Sequence, residues 1–454
     1  MLHYFGTDGF RGEAGRRLTA DHAYRIGRFL GHYYQKENGT RARVVVGKDT
    51  RRSSYMLEYA LAAGLCASGA DAYMLHVITT PGVSYAMRGE EFDCGVMISA
   101  SHNPYHDNGI KIINKKGEKM EDEVLAEIEA YLDGGCPNDL PVATGERIGR
   151  VIDHSEGRNR YAAHLISLAK HSFRGLRIGL DCANGSAWMI ARAVFEALGA
   201  KIYTVGCSPD GCNINEGVGS THIETLASLV QKHHLDAGFA FDGDADRCLA
   251  VDEGGNVITG DHILYIFATD LGRRGMLAGD TVVTTVMSNM GLYRALDESG
   301  IHHVQTAVGD KHVYDCMTRG GYTLGGEQSG HVILGQYATT GDGLLTATQL
   351  VEIMLDRKLP LSRLSGAVRM YPQVLRNLPV TNGEAALQNE AVKASVARAI
   401  EELGECGRVL LRKSGTEPVL RVMVEAESEE MCLAWVDHIC AAIQAQGFVT
   451  GRGR

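Results

Sequence analysis

Short β-branched runs, each followed by a Gly/Asp/Asn turn and an amphipathic helix, recur along this chain and restrict its fold more than any other feature. Residues 43–47 (RVVVG) lead to a helix through 56–70, residues 177–180 (RIGL) to one near 187–198, and residues 281–286 to one near 291–299. Apolar strands alternating with helices predict largely parallel sheets covered on both faces. The order of elements returns at roughly one hundred residues, too long a period for a solenoid, and predicts three related α/β units.

Composition shifts mark the boundaries. Residues 133–141 (DGGCPNDLP) form a turn-rich break after a helix over 121–132. A β-hairpin fits residues 248–258 around the turn at 253–256. Beyond residues 357–364 the rhythm changes: strands at 408–412 and 419–425 lie between helices at 384–403 and 429–446, which predicts a separate α+β domain. The expected domains are 1–152, 153–253, 254–367 and 368–454, a number that 454 residues accommodate.

The formal net charge of −10 speaks against a general nucleic-acid partner but not against an anionic substrate. Eleven cysteines occur without a C-x-x-C, and the nearest pair, Cys207 and Cys212, has no histidines at zinc spacing. Scattered cysteines such as Cys66, Cys94 and Cys440 predict a reducing compartment. The first residues lack a basic leader with an apolar core, and no apolar run approaches the roughly 20 residues that cross a bilayer. A soluble cytoplasmic protein without a membrane partner is expected.

Residues 237–246 (AGFAFDGDAD) run from an apolar strand into carboxylates at every second position, Asp242, Asp244 and Asp246. Carboxylates this close repel unless a cation lies among them, and oxygen-only donors suit Mg²⁺ or Ca²⁺. An EF-hand would place these acids similarly, with Glu253 closing the loop. It requires glycine where Arg247 stands, and it requires flanking helices. A solvated acidic turn without a ligand is the other reading. Arg247 beside the acids points to an arriving anion.

Residues 94–99 (CGVMIS) form a buried-strand run that ends in a loop carrying Ser101, His102, Asn103 and Pro104. Ligands collect at the C-terminal edge of open α/β sheets, so Ser101 is either a nucleophile there or a plain turn residue. No G-x-S-x-G elbow surrounds it, and His102 is badly placed as its base. Lys111 begins another strand able to return to the same edge. Arg412, Ser414, Gly415, Thr416 and Arg421 gather cations and hydroxyls on permissive backbone, which suits a phosphate cradle or a charged hairpin turn. Residues 325–331 (GGEQSGH) offer a carboxylate, an amide and a hydroxyl on glycine-flanked backbone, as close polyol recognition requires.

Five segments then stand in the order of one family: 5–12 (FGTDGFRG), 98–104 (ISASHNP), 241–247 (FDGDADR), 326–331 (GEQSGH) and 412–418 (RKSGTEP). Over essentially its full length the chain resembles the α-D-phosphohexomutase superfamily. That resemblance implies three related α/β domains plus a C-terminal α+β domain around a central cleft, in a heart-shaped molecule. It implies a phosphoserine at Ser101 and one Mg²⁺ held by Asp242, Asp244 and Asp246 with the phosphoserine oxygen of Ser101. Arg11, Lys111 and Arg247 would surround the transferring group, Glu327 and Ser329 would clamp sugar hydroxyls, and Arg412, Ser414, Gly415, Thr416 and Arg421 would hold the distal phosphate.

Gln328, residues 213–222 (NINEGVGSTH) and residues 338–345 (ATTGDGLL) resemble the branch acting on glucosamine phosphates, where phosphomannomutase/phosphoglucomutase members carry Met at position 328. The implied reaction is an isomerisation of glucosamine 6-phosphate and 1-phosphate through a phosphoserine and a 1,6-bisphosphate, feeding UDP-N-acetylglucosamine synthesis. A glucosamine or glucose 1,6-bisphosphate would act as activator, and a homodimer is compatible with the resemblance. Residues 308–313 (VGDKHV) depart from the pattern, since this branch more often has Arg and Tyr at Lys311 and His312. The general acid/base is therefore left open among Lys111, His312 and another group, and His312 also reads as a helix-face histidine.

Overall fold

Parallel strands need a crossover of a dozen or more residues, whereas antiparallel neighbours need only a turn. In the computed structural model, which describes residues 2–6, 8–134, 140–413 and 418–450, that difference shapes all three repeats. Each contains one four-strand core. It runs Asp107–Ile113, Cys94–Ile98, Arg43–Lys48, Asp71–Val77 in the first sheet, and Cys248–Val251, Ala237–Phe241, Arg177–Asp181, Lys201–Val205 in the second. In the third it runs Val332–Leu334, Leu324–Gly326, Thr281–Thr285, His302–Thr306. The last three strands of each series are parallel, and the first turns back antiparallel.

The sheets are thus mixed, not largely parallel as expected, because a short hairpin closes each repeat where no crossover helix fits. The hairpin predicted at 248–258 is the pairing of Cys248–Val251 with Val257–Ile258, which adds a fifth strand to the second sheet. Phe5–Gly6, Gly9–Glu13 and Val151–Asp153 extend the first sheet to seven strands. The consequence for chemistry is positional. The serine, acidic and GGEQSGH loops each follow the second strand of their repeat and form the bend of its antiparallel hairpin.

Packing keeps these sheets rigid. Val44, Val45, Val46, Val96, Phe239, Phe241 and Val283 are fully buried. The helices Ala20–Asn38 and Arg52–Ser68 approach through Gly27 and Gly64, where a Cβ would lie 2.3 Å from the Leu61 carbonyl oxygen and 2.0 Å from that of Tyr24.

Residues 289–298 and 368–450 form a separate compact unit among the described residues. Its three-stranded antiparallel sheet runs Gln373–Pro379, Val419–Glu425, Arg408–Lys413, with the helices Gly383–Gln388, Glu390–Leu403 and Glu429–Ala445. The first strand was not expected from the sequence; it is a half-exposed edge strand whose Arg376, Asn377 and Pro379 hide its pattern. The single helix expected over 384–403 is two, because the Asn389 side chain accepts the N–H groups of Ala391 and Val392 and starts a new one. The helix Met290–Glu298 packs into this unit: the Met290 N–H donates to Glu425 at 3.2 Å, and Arg294 lies over the Tyr371 ring. No helix among the described residues is long and apolar enough to cross a membrane.

Candidate active site

Ser101 follows the buried strand Cys94–Ile98 with a left-handed backbone (φ 52°), and its side chain is buried. Its hydroxyl donates to the Asp242 carboxylate. The loop is held from below by Asp49, which accepts hydrogen bonds from the hydroxyls of Ser54 and Ser99, both at 2.7 Å, and pairs with Arg51. The Ser99 hydroxyl in turn accepts the Ser101 N–H at 3.0 Å. His102 Nδ1 lies 3.3 Å from the Ser101 hydroxyl, and burial with the nearby Arg247 and Arg11 pushes that imidazole down to about 4.

The acidic loop meets the serine loop face to face. Asp242, Asp244 and Asp246 are buried, and one carboxylate oxygen from each lies within 4.8 Å of the others. Gly243 permits the approach, since a Cβ there would lie 2.5 Å from the Ser101 carbonyl oxygen. Lys111 Nζ reaches Asp244 at 2.7 Å, Asp8 at 3.3 Å and Asp246 at 3.5 Å. Lys111 is not at the start of its strand as expected; it is the fifth residue of Asp107–Ile113, opposite Met97, and this register aims it across the edge. Thr80 donates its hydroxyl to the Asp244 carboxylate and its N–H to the Asp244 carbonyl at 3.0 Å.

The electrostatics are those of an over-charged site. Burial, then Asp246 and Asp244, push the Asp242 carboxyl well above the usual carboxylate range. Burial acts the same way on Asp246, but Lys111 and His331 prevail and hold it low. Burial would deprotonate Lys111, yet Asp244, Asp8 and Asp246 raise its pKa and keep it an ammonium. Asp244 Oδ1 and Asp246 Oδ1 are buried without a hydrogen-bond partner among the described residues. Orphaned carboxylate oxygens, an all-oxygen donor set and mutual proximity fit a hard divalent cation. Strands, not helices, flank the loop, so it is not an EF-hand.

The third loop completes the pocket. A cavity of about 290 Å³ is lined by Asp8, Asp246, Arg247, Glu327, Ser329 and His331 among others. It shares Asp8, Asp246, Asp310 and His331 with a groove of about 1090 Å³ that also contains Lys111. Glu327 accepts the Gly309 N–H at 3.1 Å, and the Arg247 N–H donates to Asp242 at 3.2 Å. Arg11 pairs with Asp8 and donates to the Asn103 side chain at 3.3 Å. Ser101, Arg11, Lys111, Arg247, Glu327, Ser329 and the three aspartates are therefore brought together.

His331 was missed as a functional group. It is buried, its Nε2 accepts the Gly341 N–H at 3.0 Å, and its Nδ1 faces Asp246 at 3.8 Å. His312, by contrast, is exposed on the helix Asp310–Gly320. The signal for His331 was residues 338–345, which read only as a branch marker although Gly341 fixes the imidazole. The neighbouring Asp342 caps the helix Gly343–Arg357 and accepts the Tyr161 hydroxyl at 2.9 Å. Burial raises its pKa to about 6, so stability present below the unfolded-state value is lost as pH rises toward 6. Asp342→Asn should remove this loss, making the variant more stable relative to the wild type at pH 7 than at pH 4.5, by roughly 3 kcal/mol at most in urea unfolding.

In the C-terminal unit Arg412 lies directly opposite Arg421 on antiparallel strands. Burial and then Arg421 lower the Arg412 pKa. Like charges directly opposite destabilise a sheet, and an anion relieves them. Ser414, Gly415 and Thr416 lie outside the described residues.

Four family models match in chain order, covering residues 2–135, 159–255, 259–371 and 375–442: the α/β/α domains I, II and III and the C-terminal domain of phosphoglucomutase/phosphomannomutase. A phosphoglucosamine mutase of Lachnospira eligens is 60% identical over 450 residues, 99% of this chain and 100% of that protein. A crystal structure of a phosphoglucomutase/phosphomannomutase family protein from Burkholderia thailandensis superimposes with a TM-score of 0.81 at 25% identity, covering 99% of both chains. An N-acetylphosphoglucosamine mutase of Aspergillus fumigatus, solved with GlcNAc-6P and magnesium, shares the fold with a TM-score of 0.70 at 18% identity, covering 98% of this chain and 96% of that one.

Proposed function

Because the chain belongs to the phosphoglucomutase/phosphomannomutase family, we propose that it interconverts glucosamine 6-phosphate and glucosamine 1-phosphate, with Ser101 carrying the phosphoryl group. The observation that carries the reading is the Ser101 hydroxyl seated on Asp242, beside carboxylate oxygens that have no hydrogen-bond partner among the described residues. The 60% identity to a phosphoglucosamine mutase, over 99% of this chain, supports the substrate.

Asp242, Asp244 and Asp246 would hold one Mg²⁺ with an oxygen of phosphorylated Ser101, and the ion would neutralise charge on the transferring group. The remaining work falls to this chain's side chains. The bond from phosphorus to the Ser101 oxygen breaks as one forms to the sugar's free hydroxyl oxygen. Lys111, held as an ammonium, and Arg247 and Arg11 stabilise the equatorial oxygens. The hydroxyl proton passes to an oxygen of the transferring phosphoryl group, because, against burial, the carboxylates around Lys111 and His331 raise both pKa values, that of His331 to about 9, and keep both groups protonated at neutral pH. The resulting 1,6-bisphosphate turns end for end and returns its other phosphoryl group to Ser101. Glu327 and Ser329 hold sugar hydroxyls in both orientations, and Arg412, Ser414, Gly415, Thr416 and Arg421 hold whichever phosphate is not reacting. A hexose 1,6-bisphosphate would prime dephosphorylated enzyme.

In this reading the chain divides into functional domains at 1–152, 153–253, 254–367 and 368–454, each contributing one loop; the four sheets support four domains, although Val151–Asp153 and Val257–Ile258 pair across the first two of these bounds. The protein works in the cytoplasm, which the free thiol of every described cysteine supports.

Phosphorus NMR with Mg²⁺ and trace bisphosphate should show glucosamine 6-phosphate converting to its 1-phosphate faster than glucose or mannose 6-phosphates convert, without free phosphate. Equal or faster use of glucose or mannose would overturn the substrate, and accumulating inorganic phosphate would indicate a hydrolase. Arg412→Gln should raise KM about 10- to 100-fold through a lost charge-assisted phosphate contact. The same change should stabilise the C-terminal unit by about 0.2–1 kcal/mol in the absence of ligand, as measured by denaturant unfolding, because the charge opposite Arg421 is gone.

A further inference from the structure

The carbonyls of Ser101 and Asn103 in the serine loop each accept hydrogen bonds from two side chains. Arg51, fully buried, donates from Nη2 to the Ser101 carbonyl at 3.2 Å and to the Asn103 carbonyl at 2.6 Å. Asn215, from the stretch 213–222, donates its amide to the same two carbonyls at 2.9 and 3.0 Å. The Ser101 N–H is taken by the Ser99 hydroxyl at 3.0 Å, so both backbone polar groups of this residue end on named side chains. Ser101 needs such restraint, because a left-handed backbone at a non-glycine residue costs on the order of 1–3 kcal/mol and persists only when its surroundings over-determine it.

From this geometry we infer that Asn215 and Arg51 are positioning residues for phosphoryl transfer: together they hold the Ser101 backbone so that its side-chain oxygen faces Asp242. The inference rests on Ser101 being the phosphoryl carrier. Arg51 belongs to the first sheet's segment, where Asp49 neutralises it and orients its guanidinium. Asn215 comes from the second repeat, as does the acidic loop, and its N–H donates to the Ala183 carbonyl at 2.8 Å. The same repeat that supplies the aspartates therefore also fixes the residue they face. Neither residue lines the described pockets, so their loss acts on the chemical step and not on sugar binding.

Asn215 allows a clean test, since its own φ of 59° lets glycine replace it without backbone strain. Asn215→Gly removes both donors, and Asn215→Asp keeps the shape but turns the donor into an acceptor aimed at two carbonyls. Both should lower kcat about 10- to 100-fold, the scale of an ångström-sized misplacement, with KM for the hexosamine phosphate within about twofold. Arg51→Lys, supplying one point donor for two contacts, should lie between wild type and Asn215→Asp. Unchanged kcat in Asn215→Gly, or a change confined to KM, overturns the proposal while leaving an active wild type, and hence the mutase reading, intact. A crystal structure of Asn215→Gly reads the same point without turnover. A displaced Ser101 carbonyl is expected, and a loop unchanged with Ser101 still on Asp242 overturns the clamp whatever the wild type catalyses.

Discussion

Ser101→Ala is expected to lower kcat by a factor on the order of 10⁴ or more, because it deletes the atom that carries the phosphoryl group between the two half-reactions. KM-type binding should survive, since the pocket is built by Arg247, Glu327, Ser329 and His331 and not by Ser101. The fold should survive as well. The variant loses one hydrogen bond to the Asp242 carboxylate, a cost of about 1–3 kcal/mol for a buried charged acceptor, and creates no large cavity. Isothermal titration with the bisphosphate beside a coupled assay separates these effects: binding near the wild-type level with no turnover is expected. Turnover above about a tenth of wild type would remove Ser101 from the mechanism.

Asp242→Asn should produce a reversal in thermal stability. Without divalent cations the wild type buries three carboxylates whose oxygens lie within 4.8 Å of one another, and only Asp244 and Asp246 are paired with Lys111. Neutralising Asp242 relieves that repulsion while the amide oxygen still accepts from Ser101. In EDTA the variant should therefore melt above wild type, by roughly 2–4 °C for a gain of about 1 kcal/mol. With Mg²⁺ at about one hundred times its dissociation constant the wild type gains about 2.7 kcal/mol, and the variant, missing one ligand, gains much less. The order of melting temperatures should invert, with turnover about 10³-fold down in the variant. A variant that melts lower in EDTA, or that gains as much from Mg²⁺, would remove Asp242 from the metal site.

Much of this was legible because polar motifs interrupt buried strands. Residues 94–99 and 237–241 are apolar on both faces, so the Ser101 and Asp242 loops had to lie at strand ends, and they do. The parallel bias was misjudged because an apolar run shows burial and not direction; the short connections after Ile98, Phe241 and Gly326 held the information, since no crossover fits them. Gln373–Pro379 escaped because an edge strand carries little periodicity. The residues missed at the site share a physical trait. Arg51, Thr80 and Asn215 act through tertiary hydrogen bonds to groups far along the chain, and no local spacing encodes such partners, while His331 meets nearby Gly341 but faces Asp246 only across the fold.

The central claim is that one phosphoryl group passes through Ser101, and a single-turnover label experiment reads it directly. Enzyme carrying ³²P on Ser101, located by peptide mass spectrometry, is mixed with unlabelled glucosamine 6-phosphate and Mg²⁺ and quenched. The account predicts label leaving the protein and appearing in the 1,6-bisphosphate and then in the sugar monophosphates. Label that stays on Ser101 during turnover, or leaves only as inorganic phosphate, would contradict it.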